Sequence, residues 1–190
     1  MNRTLQGHLL MEGHGQRAPL AQGIAWGCLG GLAGTLVMDI LLMGALLVLK
    51  QPALLCFSIV GDTVSPFLAL FGTQIAGGVP TGVVTHYVVG PLFGMLFGAA
   101  VTMFPALREG TLKKITIAAF VYVEILSQPI LATTPILLKM KSPATLQWYI
   151  GSFVMHLIMS IVLGVVVGYG LRPATRGLRK SSISISIKCP

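Results

Sequence analysis

Four long runs of apolar residues divide the chain, and they lie at about 23–49, 80–104, 115–138 and 148–171. Each run is long enough to cross about 30 Å of hydrocarbon as an α-helix. A helix satisfies its own backbone hydrogen bonds, which the interior of a bilayer requires. The pattern therefore predicts an all-α integral membrane four-helix bundle over residues 23–172, flanked by tails at 1–22 and 173–190.

The connection between the first two runs, residues 50–79, is long and largely apolar. Ser65 followed by Pro66 is typical of a helix start, because Ser caps a helix and Pro fits its first position. We therefore expect a short interfacial or re-entrant helix at about 66–71 in this first outer loop. A fifth full span is the competing interpretation, but it would invert the charge balance described below.

The composition agrees with a membrane location. Hydrophobic residues make up 54% of the chain and charged residues 9%, whereas soluble domains carry about 25% charged residues. So few charges cannot cover the surface of a soluble globular enzyme, and the high apolar content excludes intrinsic disorder. The net charge of +8 comes from basic residues at the ends of apolar runs. We therefore expect the lipid bilayer as partner and no binding of nucleic acid.

The basic residues also predict an orientation. Nine of the 13 Lys and Arg residues lie in the two tails and the 105–114 loop, and Arg172 directly before the second tail makes ten, against Lys50, Lys139 and Lys141 on the other side. The positive-inside rule then places both termini in the cytoplasm of a cell whose inner (plasma) membrane holds the protein. Trp148 begins the last run where an outer aromatic belt is expected.

Each predicted span carries a single acidic residue or histidine: Asp39, His86, Glu124 and His156. An ionisable group in hydrocarbon costs about 2.5–3.5 kcal/mol on insertion scales, so such groups face the interior of a bundle. We expect the four to converge on one buried polar cluster, joined by Gln128 one helical turn from Glu124. Pairing each carboxylate with a histidine would satisfy all four groups.

Small residues recur at steps of four on the faces that carry these polar groups, and the predicted packing positions are Gly27, Gly31, Gly90, Gly94, Gly98, Ser160, Gly164 and Gly168. Such a face lets a neighbouring helix approach closely. The second and fourth spans share the pattern His-x-x-x-(Gly/Ser)-x-x-x-Gly-x-x-x-Gly. The chain is therefore interpreted as an internal repeat of two acid-helix/His-helix hairpins, related by an axis along the membrane normal.

Several short motifs occur in a fixed order along the last three spans: Thr85-His86, Val123-Glu124-Ile125-Leu126-Ser127-Gln128-Pro129, Thr134-Pro135, Trp148-Tyr149 and His156-Leu157. Over about 80–172 the chain thus resembles the YagU-like family of bacterial inner-membrane proteins. The resemblance implies a small multi-span protein without an established reaction. Some relatives have His where Glu124 stands, so it implies a titratable group there and not specifically a carboxylate.

Two classes of function stay open at this level. In the first, the chain is not an enzyme, and its polar cluster either responds to protons or only sets helix register, in a lone or self-associating protein or in an accessory subunit of a larger membrane complex. In the second, His86 and His156 ligate haem b, or a transition metal together with Asp39 and Glu124. The residues commit to no cofactor, and Ser127 and Ser160 are interpreted as helix-packing serines.

Overall fold

The computed structural model describes the backbone of residues 3–185 and the side chains of residues 19–172. Within this part of the chain the helices are α1 (Arg3–Val48), α2 (Leu55–Ala69), α3 (Gly78–Met103), α4 (Pro105–Arg108), α5 (Leu112–Leu137) and α6 (Ser142–Ile185). The segments long and apolar enough to cross a membrane are Pro19–Val48, Gly78–Met103, Leu112–Leu137 and Ser142–Arg172. The prediction of an all-α chain with four helices able to span a membrane is confirmed.

The first loop contains a longer helix than expected. α2 covers 15 residues, fewer than a bilayer requires of a full span. The predicted start at Ser65 and Pro66 is wrong, because both residues lie inside α2. The apolar run before them is already helical and buries Phe57, Gly61 and Thr63, largely against α3. The Ser65 hydroxyl donates to the Ile75 carbonyl at 2.7 Å instead of capping a helix.

α1 and α3 pack in antiparallel contact through glycine. Gly27 lies against Gly94, and Gly31 lies between Gly94 and Gly90. A Cβ atom added to Gly94 would lie 2.8 Å from the Cα of Gly31, which real side chains do not tolerate. The stripe ends with Gly23 against Gly98. Backbone–backbone contact of this kind is what small residues at steps of four allow in a membrane.

α6 packs against both α1 and α5. Gly164 meets α5, where an added Cβ would lie 2.6 Å from the Cα of Thr116, and Gly168 lies beside Leu112. Ser160 is fully buried, and its hydroxyl donates to the carbonyl of His156 at 2.6 Å. The predicted packing positions of the fourth span therefore face its helix neighbours.

The two ends of the bundle are filled differently. Near α4, the inward faces of α3, α5 and α6 form an apolar core that includes Phe97, Val101, Ala119 and Leu163. At the opposite end α2 joins the bundle, and the helices enclose a cavity there instead of a core. Large apolar side chains such as Leu29 and Ile40 point outward from α1, as contact with a lipid bilayer requires.

Candidate functional site

The glycine stripe of α1 and α3 sets the register of a buried ion pair. Eight residues beyond Gly31 on α1, Asp39 meets His86, which precedes Gly90 by one turn on α3. The Oδ1 of Asp39 and the Nδ1 of His86 are 3.0 Å apart. Asp39 is 2% exposed. A carboxylate buried this deeply is held by its hydrogen bond to the imidazole, because removing either partner leaves an uncompensated polar group.

The surroundings of Asp39 leave its second oxygen without a hydrogen bond. Among the described residues, Asp39 Oδ2 and the Oγ1 of Thr35, one helical turn away, are buried without a partner. Cys56 on α2 and Tyr87 on α3 are close enough to sense the charge of Asp39. Burial and, to a lesser degree, that charge raise the pKa of the Cys56 thiol to about 12. The thiol therefore stays protonated at neutral pH.

The histidine of α6 has a neutral partner. Ser127 Oγ lies 3.0 Å from His156 Nδ1 and 3.2 Å from the backbone carbonyl of Glu124. Ser127 is 6% exposed, on the buried stripe of α5 that also carries Ala119 and Val123. The sequence interpretation assigned Ser127 to packing only. Steps of four place Ser127 on one face of α5, but only packing against α6 shows that this face, and not that of Glu124, is turned inward.

Glu124 and Gln128 lie apart from the two histidines. Gln128 Nε2 donates to Glu124 Oε2 at 3.2 Å, and both residues line a separate cavity of about 310 Å³ with Tyr149 and Phe153. The expected pairing of Glu124 with a histidine is therefore corrected. A helix turns about 100° per residue, so the inward positions of α5 leave Glu124 on another face. Of the expected cluster, Asp39 and His86 are in contact, and His156 lies on the same cavity as His86.

His86 and His156 face the same space. Both line a cavity of about 890 Å³ at the α2 end of the bundle, bounded by α1, α2, α3, α5 and α6. Besides the histidines, its polar lining comes from hydroxyl and thiol groups, from Gln51 and Gln147 and from the Trp148 indole. Asp39 lies behind His86. Most of the wall is apolar, and its lining includes no Asp, Glu, Lys or Arg among the described residues. Ligand pockets in proteins span about 300–1,000 Å³ and share this balance of apolar wall and few polar groups.

Two hydrogen bonds between elements hold this end of the bundle together. Pro135 has no N–H, so the carbonyl of Leu131 loses its helical partner. The Trp148 indole N–H of α6 donates to that carbonyl at 3.2 Å. On the other side, the N–H of Gly78 at the start of α3 donates to Asp62 Oδ1 of α2 at 2.7 Å.

The histidines also allow the cofactor alternatives to be compared. Among the described residues, no group of three or more His, Cys, Asp or Glu side chains is placed to hold a metal ion. The four-residue metal site considered from the sequence is therefore not assembled. Two imidazoles on one cavity are the ligand set of a bis-histidine haem, which requires nothing from Glu124.

Comparison with family models, with curated proteins and with solved structures finds no match for the chain. The cavity and its two histidines are therefore the features from which a function can be inferred.

Proposed function

We propose that this chain is a non-enzymatic multi-span protein of a bacterial inner membrane, of the YagU-like type, whose Asp39–His86 pair responds to protons. It acts alone or as an accessory subunit of a larger membrane complex, with both termini in the cytoplasm. The observation that carries the proposal is the 3.0 Å contact between a 2%-exposed carboxylate and an imidazole that lines a cavity.

The chemistry of the pair follows from its donors and acceptors. An ionised carboxylate only accepts hydrogen bonds, so His86 donates its Nδ1–H to Asp39. In the neutral imidazole Nε2 is then an acceptor, and it takes up a proton from the cavity side. The resulting imidazolium stays beside the carboxylate, which balances its charge. When the imidazolium loses its proton, Asp39 is left as a net negative charge between α1 and α3. The two protonation states therefore stabilise this helix contact to different degrees.

Nitrogen-15 NMR of the histidine side chains in lipid tests this proposal directly. We expect the His86 signal, assigned by its loss in His86→Gln, to change as the pH is lowered, because Nε2 takes up a proton. Asp39→Asn should move that titration because it removes the counter-charge. Glu124→Gln should leave it unchanged because Glu124 lies in a different cavity. Identical titrations of His86 in the unmodified protein, in Asp39→Asn and in Glu124→Gln would exclude the proton-linked role.

The two helix pairs also support the proposed internal repeat. In each pair the histidine stands at the cavity on the second span, and its Nδ1 is bonded by a residue of the preceding span. The partners differ, being Asp39 in one pair and Ser127 in the other.

Binding of haem b is the second candidate function. It is favoured by the placement of His86 and His156 on one cavity with their Nδ1 atoms already hydrogen-bonded, since such second-shell bonds orient histidine ligands for metals. A visible absorption spectrum of the purified protein tests it. A haem bound this way gives a Soret band that is lost in both His86→Ala and His156→Ala, and a colourless protein after haem addition excludes it.

A further inference from the structure

We propose that the 890 Å³ cavity binds an uncharged, mostly hydrocarbon molecule with a hydroxyl group, and that this hydroxyl donates to His86 Nε2. This inference rests on the proposed function, because it uses the same Asp39–His86 pair. Nδ1 of His86 is engaged by Asp39, so Nε2 is the ring nitrogen left for a ligand. The imidazole ring of His86 also packs against the ring of Phe57, with 5.1 Å between the two ring centroids.

The charge of the ligand follows from the cavity wall. Its lining includes no Asp, Glu, Lys or Arg among the described residues, and protonated His86 is balanced by Asp39 behind it. A charged ligand would therefore enter an apolar space without a compensating partner, which costs several kcal/mol. An uncharged molecule avoids this cost.

The hydroxyl group is indicated by a second buried atom. Thr35 is 1% exposed and lines the cavity, yet its Oγ1 has no hydrogen-bond partner among the described residues. It lies one helical turn from Asp39 and against Gly90, which itself is one turn from His86. A hydroxyl can accept from Thr35 and donate to His86 at the same time, whereas an ether or ketone oxygen can only accept.

The hydrocarbon part follows from the remaining wall. Leu42, Leu46, Val60, Phe93 and Met155 come from four helices and offer apolar contact to a chain or ring. The bilayer supplies two kinds of molecule with this chemistry, namely long-chain alcohols of the diacylglycerol type and isoprenoid quinols. Both share the hydroxyl on a hydrocarbon body, and competition separates them.

Photo-crosslinking with a diazirine-bearing hexadecanol tests the site in the full chain in lipid nanodiscs. The matched control probe is its methyl ether, which cannot donate a hydrogen bond. We expect the alcohol to label cavity residues such as Met155 about fivefold more than the ether does, the factor that one net hydrogen bond is worth. Equal labelling by the two probes, or labelling confined to outward residues such as Leu29, would overturn the proposal.

Two threonine variants make the test independent of folding defects. Thr35→Val removes the unpartnered hydroxyl and should lower labelling by the alcohol and by the ether alike, by about fivefold, because either oxygen can accept from Thr35. Thr85→Val also removes a cavity hydroxyl, but one that already donates to the Thr81 carbonyl at 2.8 Å, so labelling by both probes should persist. Equal effects of the two variants would contradict the assigned hydroxyl position.

Competition with unlabelled diacylglycerol and with a decyl-substituted benzoquinol then identifies which kind of bilayer molecule the cavity binds. The better ligand is the compound that displaces the probe at lower concentration. Displacement by neither, or a protein isolated with a haem in the cavity, would overturn the inference. The labelling is measured at one pH and the NMR titration without added ligand. A failed labelling experiment therefore leaves the proton response of His86 to be judged separately.

Discussion

The α1/α3 and α5/α6 helix pairs pack in the same way but give their histidines different polar partners. Both bring small residues of the second helix against the backbone of the first, and both place a histidine at the cavity beyond that contact. His86 meets a carboxylate at 3.0 Å, whereas His156 meets a hydroxyl at 3.0 Å.

One residue on the first helix of each pair therefore decides the chemistry of the histidine on the second helix. The carboxylate of Asp39 can balance the positive charge of an imidazolium, whereas Ser127 offers a neutral hydroxyl that forms one hydrogen bond with its histidine. The cavity thus combines one histidine beside a carboxylate and one beside a hydroxyl. Substitutions in the glycine contact, in the polar pairs and at the hydrogen bonds near the cavity test this difference between the two helix pairs.

The largest effect is expected from Gly94→Leu, which attacks the packing of α1 on α3. An added side chain at Gly94 meets the backbone of Gly27 and Gly31, which cannot move aside as a flexible side chain would. We expect almost no folded protein in size-exclusion chromatography, because overpacking against backbone costs about 3 kcal/mol or more. Gly44→Leu on α1, the helix that Gly94 packs against, is the control, since a Cβ there meets nothing within 4 Å. Similar yields of the two variants would show that this contact is not required.

The polar pairs are compared by Asp39→Ala and Ser127→Ala. Removing the charged acceptor of a buried hydrogen bond costs about 1.5–3 kcal/mol, whereas removing one neutral hydrogen bond costs about 1 kcal/mol. The free energy of unfolding, measured by titration with a denaturing detergent, should therefore fall about two to three times as far in Asp39→Ala as in Ser127→Ala. Equal losses would mean that His86 and His156 are held in equivalent ways.

The same pairs show how far the sequence leads. Apolar run lengths predict the four spans, and steps of four predict that Gly27, Gly31, Gly90 and Gly94 are packing positions, because both depend on local helix geometry alone. The Asp39–His86 contact is also foreseeable as a pairing of lone ionisable groups, although the choice of His86 over His156 requires the register of α1 on α3.

The remaining features depend on helix rotation, which periodicity in a single helix does not determine. Glu124 and Ser127 are three residues apart on α5, and only packing against α6 decides which one faces His156. The start of α2 was misplaced for a similar reason. The Ser65-Pro66 signal is local, whereas contact of Phe57 and Gly61 with α3 stabilises the earlier helical residues.

On the α5/α6 side, the bond from Trp148 to the Leu131 carbonyl should be worth about 1 kcal/mol. Trp148→Phe removes this donor and should lower the free energy of unfolding by that amount. In a Pro135→Ala background the restored N–H at position 135 can satisfy the same carbonyl within α5. The Trp148→Phe loss should then shrink by about half or more, since its acceptor is no longer orphaned. A loss of the same size in both backgrounds would show that Trp148 acts by packing alone.

The smallest effect is expected on the α1/α3 side, where Asp62 of α2 accepts from the first turn of α3. Asp62→Ala removes the acceptor of the Gly78 N–H, and loss of a helix cap costs about 0.5–1 kcal/mol at an exposed site. The loss should stay local, because Gly61 and Gly82 still hold α2 to α3 by close backbone contact. Hydrogen exchange at the Gly78 amide should therefore accelerate about threefold or more, while exchange in the middle of α3 stays unchanged. Asp62→Asn keeps a side-chain oxygen and should restore most of the protection. Acceleration along the whole of α3 would instead show that this one bond, and not the glycine contact, fixes α2 beside the cavity.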